Sequence, residues 1–313
     1  MTLVSVILPL FNKETWIDAT VRSVLRQSFL DWELLIVDDG STDRSLVRVN
    51  SLLDSLVPSD RSKIRLLQQV NKGQSHARTN GINQANGEFL AFLDADDVWH
   101  PRKLEIQFEF MKKNPKIDLV LTNYFILSER KSSIPRTVTF SPLDLKVLHW
   151  YDLTGFGGLV ESTGMIKRKY YESVGGFPLD TAMGSGLELV VKSQVDRTLG
   201  LVDEVLCLYR SLADGWHTDT IDLVRTCDVL QSREFVPSSY KVALQNNIAQ
   251  YLYWRELRNK SSRPYFCSIL VTQYMKKNGP HRAFLKKVVR RVIKSYIDSL
   301  FNIRNIITLL RIQ

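Results

Sequence analysis

The 313-residue sequence contains 44% hydrophobic and 24% charged residues, a globular composition that excludes a disordered or low-complexity chain. Its formal net charge of +9 at pH 7 is uneven, because residues 281–313 contribute +7 and the first 280 residues only +2. A basic segment confined to one end argues against a nucleic-acid enzyme, which would be basic throughout.

Cysteine spacing and hydropathy indicate where the protein works. Cys207, Cys227 and Cys267 lie too far apart for a zinc site or a disulfide framework, which is typical of a reducing compartment. The first apolar stretch, MTLVSVILPLFNK, is too short for a signal peptide or a membrane span, and no apolar run reaches about 18 residues. We therefore expect a cytoplasmic protein, either free or peripheral on the cytosolic face of a membrane.

Alternating strands and helices are predicted over the first hundred residues. Runs of β-branched and apolar residues predict strands, and apolar positions spaced by three and four predict helices. The strands are Leu3–Leu10, Trp32–Val37, Ile64–Gln69 and Phe89–Leu93, and the helices are Glu14–Gln27 and His76–Ala85. Between the second and third strands, Asp43 suits a further helix start. Three strand-loop-helix repeats before the fourth strand predict an α/β fold with a doubly wound, mostly parallel sheet and right-handed crossovers.

Two acidic loops follow strands of this predicted sheet. The second strand runs into DDGSTD at residues 38–43, and the fourth runs into Asp94, Asp96 and Asp97. Loops at the carboxyl ends of parallel strands gather at one edge, where such sheets bind ligands. Clustered carboxylates there suit a hard divalent cation shared with the oxygens of a diphosphate, or else they form a solvated acidic turn.

Positive charge is predicted at the same edge. Lys72 and Arg78 lie near the amino terminus of the helix at His76–Ala85, where backbone N–H groups also point outward. This corner therefore favours phosphate.

The second half of the chain gives weaker signals. A helix is predicted after Pro101, a strand over residues 117–125, another strand at Leu159–Ile166, a short helix at Lys167–Ser173 and a short strand pair at Leu201–Arg210. From Ile221 onward the pattern is wholly helical. We therefore predict one domain at residues 1–220 and a helical extension at residues 221–313.

Four stretches of the first hundred residues resemble one known family. VSVILPLFNKE, SVLRQSF, WELLIVDDGSTD and NKGQSHARTNGINQANGEFLAFLDADD occur in the order seen in the nucleotide-binding half of family 2 glycosyltransferases. The resemblance is nearly gapless over residues 3–100 and weaker up to residue 210. It implies the GT-A fold, with helices on both faces of the sheet, and metal-dependent, inverting sugar transfer from a nucleotide-sugar donor, most simply a UDP-sugar. The Gln-x-x-Arg-Trp signature of processive synthases is absent from the sequence, which favours transfer of a single sugar to a glycan or lipid-linked acceptor in cell-surface polysaccharide assembly.

The resemblance also implies roles for individual residues. Asp39 would accept a hydrogen bond from uracil N–H, and Arg78 would face the nucleotide or its phosphates. Asp94 would lie toward the ribose and Asp96 toward a Mn²⁺ or Mg²⁺ ion, with Asp97 sharing or replacing the metal contact. The other implied nucleotide-binding residues are Pro9, Phe11, Asn12, Glu14, Lys72 and Ala95, with Phe11 standing where the family usually has tyrosine.

One departure from the family concerns the general base. Gly175-Gly176-Phe177 would shape the wall of the donor-sugar pocket, and the family then places an acidic pair whose aspartate is the base. Here Ser185 and Gly186 occupy those positions, and glycine cannot accept a proton. Either another carboxylate serves, or the chain binds nucleotide-sugar with weak or no transfer. The candidates are Glu188, which we place first, and Asp180 or Glu161.

Two further segments are candidates for ligand contact. In the family, the segment corresponding to Ser211–Asp219 can close over the diphosphate, which makes Arg210, Trp216 and His217 lid candidates. Residues 281–313 form an amphipathic basic pattern, which predicts either docking on an anionic membrane surface or a helix packed on the domain with a solvated basic face. No nucleic-acid partner is expected.

Overall fold

The computed structural model describes residues 2–128, 161–179, 186, 189–190, 192–193, 196 and 198–211. The predicted domain boundary after residue 220 lies outside them. So do several predicted site residues and segments, namely Asp180, Ser185, Glu188, Trp216, His217 and residues 281–313. Within the described ranges, every helix is too short or too polar to cross a membrane.

Strands and helices alternate as predicted over the first hundred residues and continue beyond them. The strands are β1 Val4–Leu10, β2 Trp32–Asp38, β3 Ile64–Gln68, β4 Phe89–Phe92, β5 Val98–Trp99, β6 Leu119–Ser128, β7 Met165–Lys167 and β8 Leu199–Ser211. The α-helices are α1 Ile17–Leu25, α2 Ser45–Asp54, α3 Pro58–Arg61, α4 Gln74–Gln84, α5 Lys103–Lys113 and α6 Arg168–Ser173, and Glu161–Thr163 forms a 3₁₀-helix.

The described strands form one mixed, mostly parallel sheet in the order β3-β2-β1-β4-β7-β6-β8-β5. The half built from β3, β2, β1 and β4 is parallel throughout. Strand β7 is antiparallel to both β4 and β6, whereas β6 and β8 are parallel. The predicted α/β fold is therefore confirmed, and the carboxyl ends of β1, β2 and β4 meet at one edge.

The core lies on both faces of this sheet. Strand β1 is buried along its whole length, and its side chains alternate between two apolar clusters. Val6 and Leu8 pack into the cluster that includes residues of α1, α2 and α5, whereas Ile7 packs into the cluster on the side of α4 and α6. Burial on both faces is why β1, β2 and β4 consist mostly of apolar residues.

Two predicted elements of the second half were wrong. Within Leu159–Ile166, residues 161–163 form the 3₁₀-helix, whose Ser162 side chain is bonded to the loop after β4, and of the described residues only Met165 and Ile166 lie in a strand, β7. Leu201–Arg210 belongs to the single strand β8, in which register shifts on both sides of Asn123 accommodate three extra residues without a turn. Helix α2 begins two residues after the helix start predicted at Asp43, but its extent was not predicted.

Candidate active site

The loop after β1 fixes the acidic loop after β2. Asn12 has a left-handed backbone with φ of 50°, and its Oδ1 accepts hydrogen bonds from the backbone N–H groups of Thr42 at 2.8 Å and Asp43 at 3.3 Å. Glu14 Oε2 accepts a bond from the N–H of Arg44 at 2.8 Å. Two residues predicted to bind nucleotide thus hold the loops together. Phe11, which directly precedes Asn12, is 44% exposed and offers an aromatic face.

Asp39 is buried beneath the loop that precedes α4. Its Oδ1 accepts hydrogen bonds from Gln69 Nε2 at 2.8 Å and from the N–H of Lys72 at 2.9 Å, and its Oδ2 accepts one from the N–H of Gly73 at 2.8 Å. The structure therefore brings Asp39 and the Lys72 backbone together, while the Lys72 side chain is exposed. A carboxylate has roughly four acceptor positions, so one remains for a ligand.

Arg78 is a buried cation at the centre of the site. Its side chain is 1% exposed, and its guanidinium lies 2.6 Å from Oδ1 of Asp94 and 3.6 Å from Oε1 of Glu161. The guanidinium carbon also lies 5.6 Å from the ring centre of Phe177. Burial disfavours the charged form, but the two carboxylates outweigh it and the pKa of Arg78 is raised.

Asp94 and Asp96 lie at the mouth of the site. Their side chains are 19% and 14% exposed, respectively. Oδ2 of Asp96 accepts a hydrogen bond from Nζ of Lys13 at 2.6 Å. Burial raises the pKa of Asp96 against the attraction of Lys13, and repulsion from Asp94 adds to the rise. Between the two aspartates, Ala95 is buried and its carbonyl accepts a bond from Thr20 Oγ1 at 3.0 Å.

Asp97 points into the protein. It is fully buried, and one oxygen accepts a hydrogen bond from Ser162 Oγ while the other accepts one from the N–H of Arg210 at 2.9 Å. Burial raises the pKa of Asp97 well above its usual range, and the charges of Asp96 and Asp94 raise it further. These two hydrogen bonds tie the loop after β4 to Ser162 and to β8.

The Gly175-Gly176-Phe177 turn packs against Arg78. Phe177 is buried, and its ring centre lies 4.9 Å from that of Phe92 and 5.4 Å from that of Tyr171. Gly176 has a φ of 71°, and a Cβ there would lie 2.9 Å from the phenol of Tyr171. The turn therefore forms one wall beside the guanidinium.

Three residues of the site were not predicted. Lys13 pairs with Asp96, Gln74 donates a hydrogen bond to Asp94 Oδ1 at 2.8 Å, and Ser162 accepts one from the N–H of Asp94 at 2.9 Å. Lys13 directly follows Asn12, and Gln74 begins α4, so both lie in loops already assigned to the site. Nothing in the sequence marks Ser162.

Oxygen ligands are present, but they do not form a complete cage. Within the described ranges, no three His, Cys, Asp or Glu side chains converge to hold a metal ion. Asp94 and Asp96 supply two carboxylates at the mouth, with Arg78 and Lys13 beside them. Such a mixture of carboxylates and cations suits a ligand that brings its own oxygens, as a diphosphate does.

Sequence comparison identifies related proteins. The family model described as glycosyl transferase family 2 matches residues 5–175, more than half of the chain. Over 146 residues, 45% of this chain and 54% of the other, it is 38% identical to UDP-Glc:alpha-D-GlcNAc-diphosphoundecaprenol beta-1,3-glucosyltransferase WfgD of Escherichia coli. It is 43% identical over 111 residues to the putative teichuronic acid biosynthesis glycosyltransferase TuaG of Bacillus subtilis (strain 168), covering 35% of this chain and 42% of that one. This chain therefore covers 54% of the length of the first relative and 42% of the length of the second.

Solved structures share the fold. TarS of S. aureus in complex with UDP aligns with a TM-score of 0.57 and 17% identity, over 83% of this chain and 73% of that one. Mannosyltransferase PcManGT from Pyrobaculum calidifontis, in complex with GDP-Man and Mn²⁺, aligns with a TM-score of 0.56 and 16% identity, over 96% and 87%. At such identities the similarity concerns the fold alone, and it confirms the predicted GT-A type.

Proposed function

The chain belongs to glycosyl transferase family 2, and from this premise we propose that it is a metal-dependent, inverting glycosyltransferase. It moves a single sugar from a nucleotide-sugar, most simply a UDP-sugar, to an acceptor hydroxyl. The observation that carries the proposal is Arg78, a guanidinium buried between Asp94 and Glu161 at the ligand-binding edge of the sheet. A cation held there can neutralise charge on a diphosphate, which is a poor leaving group otherwise.

The nucleotide end of the donor is assigned to the first two loops. The remaining acceptor position of Asp39 takes the uracil N–H, and the exposed ring of Phe11 offers a stacking surface. Support comes from relatives: the name of the E. coli enzyme specifies UDP-Glc, and TarS has been crystallised with UDP and with UDP-GlcNAc.

A Mn²⁺ or Mg²⁺ ion is assigned to Asp96, with Asp94 beside it toward the ribose. The donor set fits a hard cation, because both groups are carboxylates and their repulsion contributes to the raised pKa of Asp96. When bound, such an ion supplies Lewis-acid stabilisation of the departing diphosphate. Asp97 is fully buried and bonded to Ser162 and Arg210, so we assign it to holding the loop.

The acceptor is assigned to cell-surface polysaccharide or lipid-linked glycan assembly. The names of two relatives support this assignment, one specifying a diphosphoundecaprenol-linked GlcNAc and the other teichuronic acid biosynthesis. A lipid-linked acceptor agrees with docking of the basic residues 281–313 on the anionic cytosolic face of a membrane.

Thermal shift with a matched set of nucleotides tests the donor assignment. UDP and its sugars with Mn²⁺ should raise the melting temperature, because a ligand at about 100 times its Kd adds about 2.7 kcal/mol of stability. The control is 3-methyl-UDP, which lacks the imide N–H that Asp39 accepts and should bind at least about tenfold more weakly. Equal shifts with UDP and 3-methyl-UDP would remove Asp39 from base recognition, and no shift with any nucleoside diphosphate would contradict the proposed function.

A second candidate function is nucleotide-sugar binding with little or no transfer. Gly186 favours it, because an acidic side chain is missing from the position where the family has its base. Release of UDP from UDP-glucose or UDP-GlcNAc in the presence of Mn²⁺ distinguishes the two functions. Binding without release would support the binding protein.

A further inference from the structure

Gly186 is a glycine for reasons of space. Its backbone is helical and does not have the positive φ that favours glycine. A Cβ at this residue would lie 3.0 Å from Cγ, 3.2 Å from Oε1 and 3.4 Å from Cδ of Glu161. The N–H of Gly186 also donates a hydrogen bond to the Glu161 carboxylate. The side chain of Glu161 therefore fills the volume that a side chain at residue 186 would enter.

Glu161 is held beside the loop that carries Asp94. The next residue, Ser162, accepts a hydrogen bond from the N–H of Asp94 at 2.9 Å and donates one to Asp97. The carbonyl of Ser162 accepts a bond from Trp99 Nε1 at 2.8 Å. These bonds fix the 3₁₀-helix against the site, so the carboxylate of Glu161 is positioned by well-packed structure.

The environment of Glu161 suits proton transfer. Its Oε1 lies 3.6 Å from Arg78 Nη1, whereas Asp94 contacts Arg78 through Nη2. Its side chain is 16% exposed whereas that of Arg78 is 1% exposed, so part of Glu161 is accessible. Burial raises the pKa of Glu161 despite the attraction of Arg78, which moves it toward the range where a carboxylate is an efficient base.

We propose that Glu161 is the general base of the transfer, a role that rests on the proposed function. Its carboxylate occupies the space that the missing side chain of Gly186 leaves open. Its carboxylate takes the proton of the acceptor hydroxyl as that oxygen forms its bond to the anomeric carbon. The bond between the anomeric carbon and the diphosphate oxygen breaks, and its electron pair leaves with the nucleoside diphosphate. Gly186 makes room for this base.

The test uses the full chain with Mn²⁺, measuring UDP release from UDP-glucose and UDP-GlcNAc and UDP affinity by calorimetry. General acid–base catalysis contributes about 10²–10⁴-fold, so E161Q should lower release at saturating donor at least about 100-fold. UDP affinity should stay unchanged, because glutamine keeps the shape beside Arg78. E172Q, whose carboxylate is 60% exposed, is the matched control and should behave as wild type.

Moving the carboxylate provides an independent variant. The three atoms nearest to a Cβ at residue 186 all belong to the part of Glu161 that alanine lacks. E161A/G186D should therefore fold and release UDP faster than E161A. If E161A/G186D folded but released UDP no faster than E161A, this result would contradict the idea that carboxylates at residues 161 and 186 occupy the same position.

Each remaining outcome is decisive. Wild-type release by E161Q, or a loss confined to E188Q, would overturn Glu161 as the base. Weaker UDP affinity with an unchanged rate at saturating donor would also overturn it and leave Glu161 as a positioning residue for Arg78. Failure of the proposed function differs, because it concerns the wild type: a chain that binds UDP but releases none from either donor would overturn transfer itself.

Discussion

Replacing Lys13 with methionine should tighten Mn²⁺ binding, because the ammonium of Lys13 holds Asp96, the carboxylate assigned to the metal. Nζ lies 2.6 Å from Oδ2, and the two side chains are 28% and 14% exposed. A charge-assisted hydrogen bond in this partly buried setting contributes about 1–2 kcal/mol. Since the ion must displace Lys13, K13M should bind Mn²⁺ about 5- to 30-fold more tightly.

Titration of Mn²⁺ without nucleotide, followed by the electron paramagnetic resonance of the unbound ion, measures this affinity and needs no turnover. K112M is the charge-matched control, because Lys112 is 67% exposed and 4.0 Å from Glu109, and it should leave the affinity unchanged. D96N should weaken binding. If K13M bound Mn²⁺ as the wild type does, or more weakly, competition between Lys13 and the ion would be refuted.

Three further predictions concern stability and location. A Cβ on Gly87 would lie 2.5 Å from the backbone nitrogen of Ser5, so G87A should lower the free energy of unfolding in urea by at least about 2 kcal/mol. In G164A the nearest neighbour would be 3.4 Å away, and an equal loss there would contradict this reading. Burial lowers the pKa of Lys103 from 10.5 to about 7. Between these two pH values the unfolded chain binds a proton that the folded chain does not, so the protein loses stability as the pH falls from 10.5 to about 7. The melting temperature of K103M minus that of the wild type should therefore increase as the pH is lowered from 10.5 to about 7. A difference that did not change with pH would be evidence against a neutral buried lysine. Removal of residues 281–313, which carry +7, should abolish sedimentation with anionic vesicles, and equal binding by both forms would exclude docking through this segment.

The parallel half of the sheet was predictable because its strands are buried on both faces. Strand β1 was predicted at Leu3–Leu10 and lies at Val4–Leu10, and β2 extends one residue beyond the predicted Val37. A strand covered on both sides is mostly apolar, and such a run is visible in sequence without knowledge of its neighbours. The loops at the carboxyl ends then follow from topology, which is why Arg78 and Asp94 could be placed at one edge.

The second half was less predictable because its elements depend on contacts between distant residues. Residues 161–163 contain no helix signal, and their 3₁₀ turn depends on Ser162 bonding the loop at Asp94, 68 residues earlier. In β8, Asp203 and Glu204 interrupt an apolar run and imitate a turn between two short strands. Asp203 instead accepts a hydrogen bond from Asn123 Nδ2 at 2.7 Å in the irregular register between β6 and β8. Such pairings leave no local periodicity.

Gly186 shows why the site was only partly predictable. In the sequence alone, a glycine at a position where an acidic residue is expected indicates a missing base. A sequence pattern treats each position separately and does not show which residues from elsewhere in the chain lie beside it. In space, the same glycine is constrained by a neighbour: any side chain at 186 would meet Glu161 at 3.0 Å, although its backbone would accept one. A Cβ at 186 therefore fits only if the Glu161 side chain shifts by a few tenths of an ångström. A carboxylate at residue 186 and one at residue 161 would occupy the same space. Only the contact between the two residues in the folded protein shows that one could replace the other.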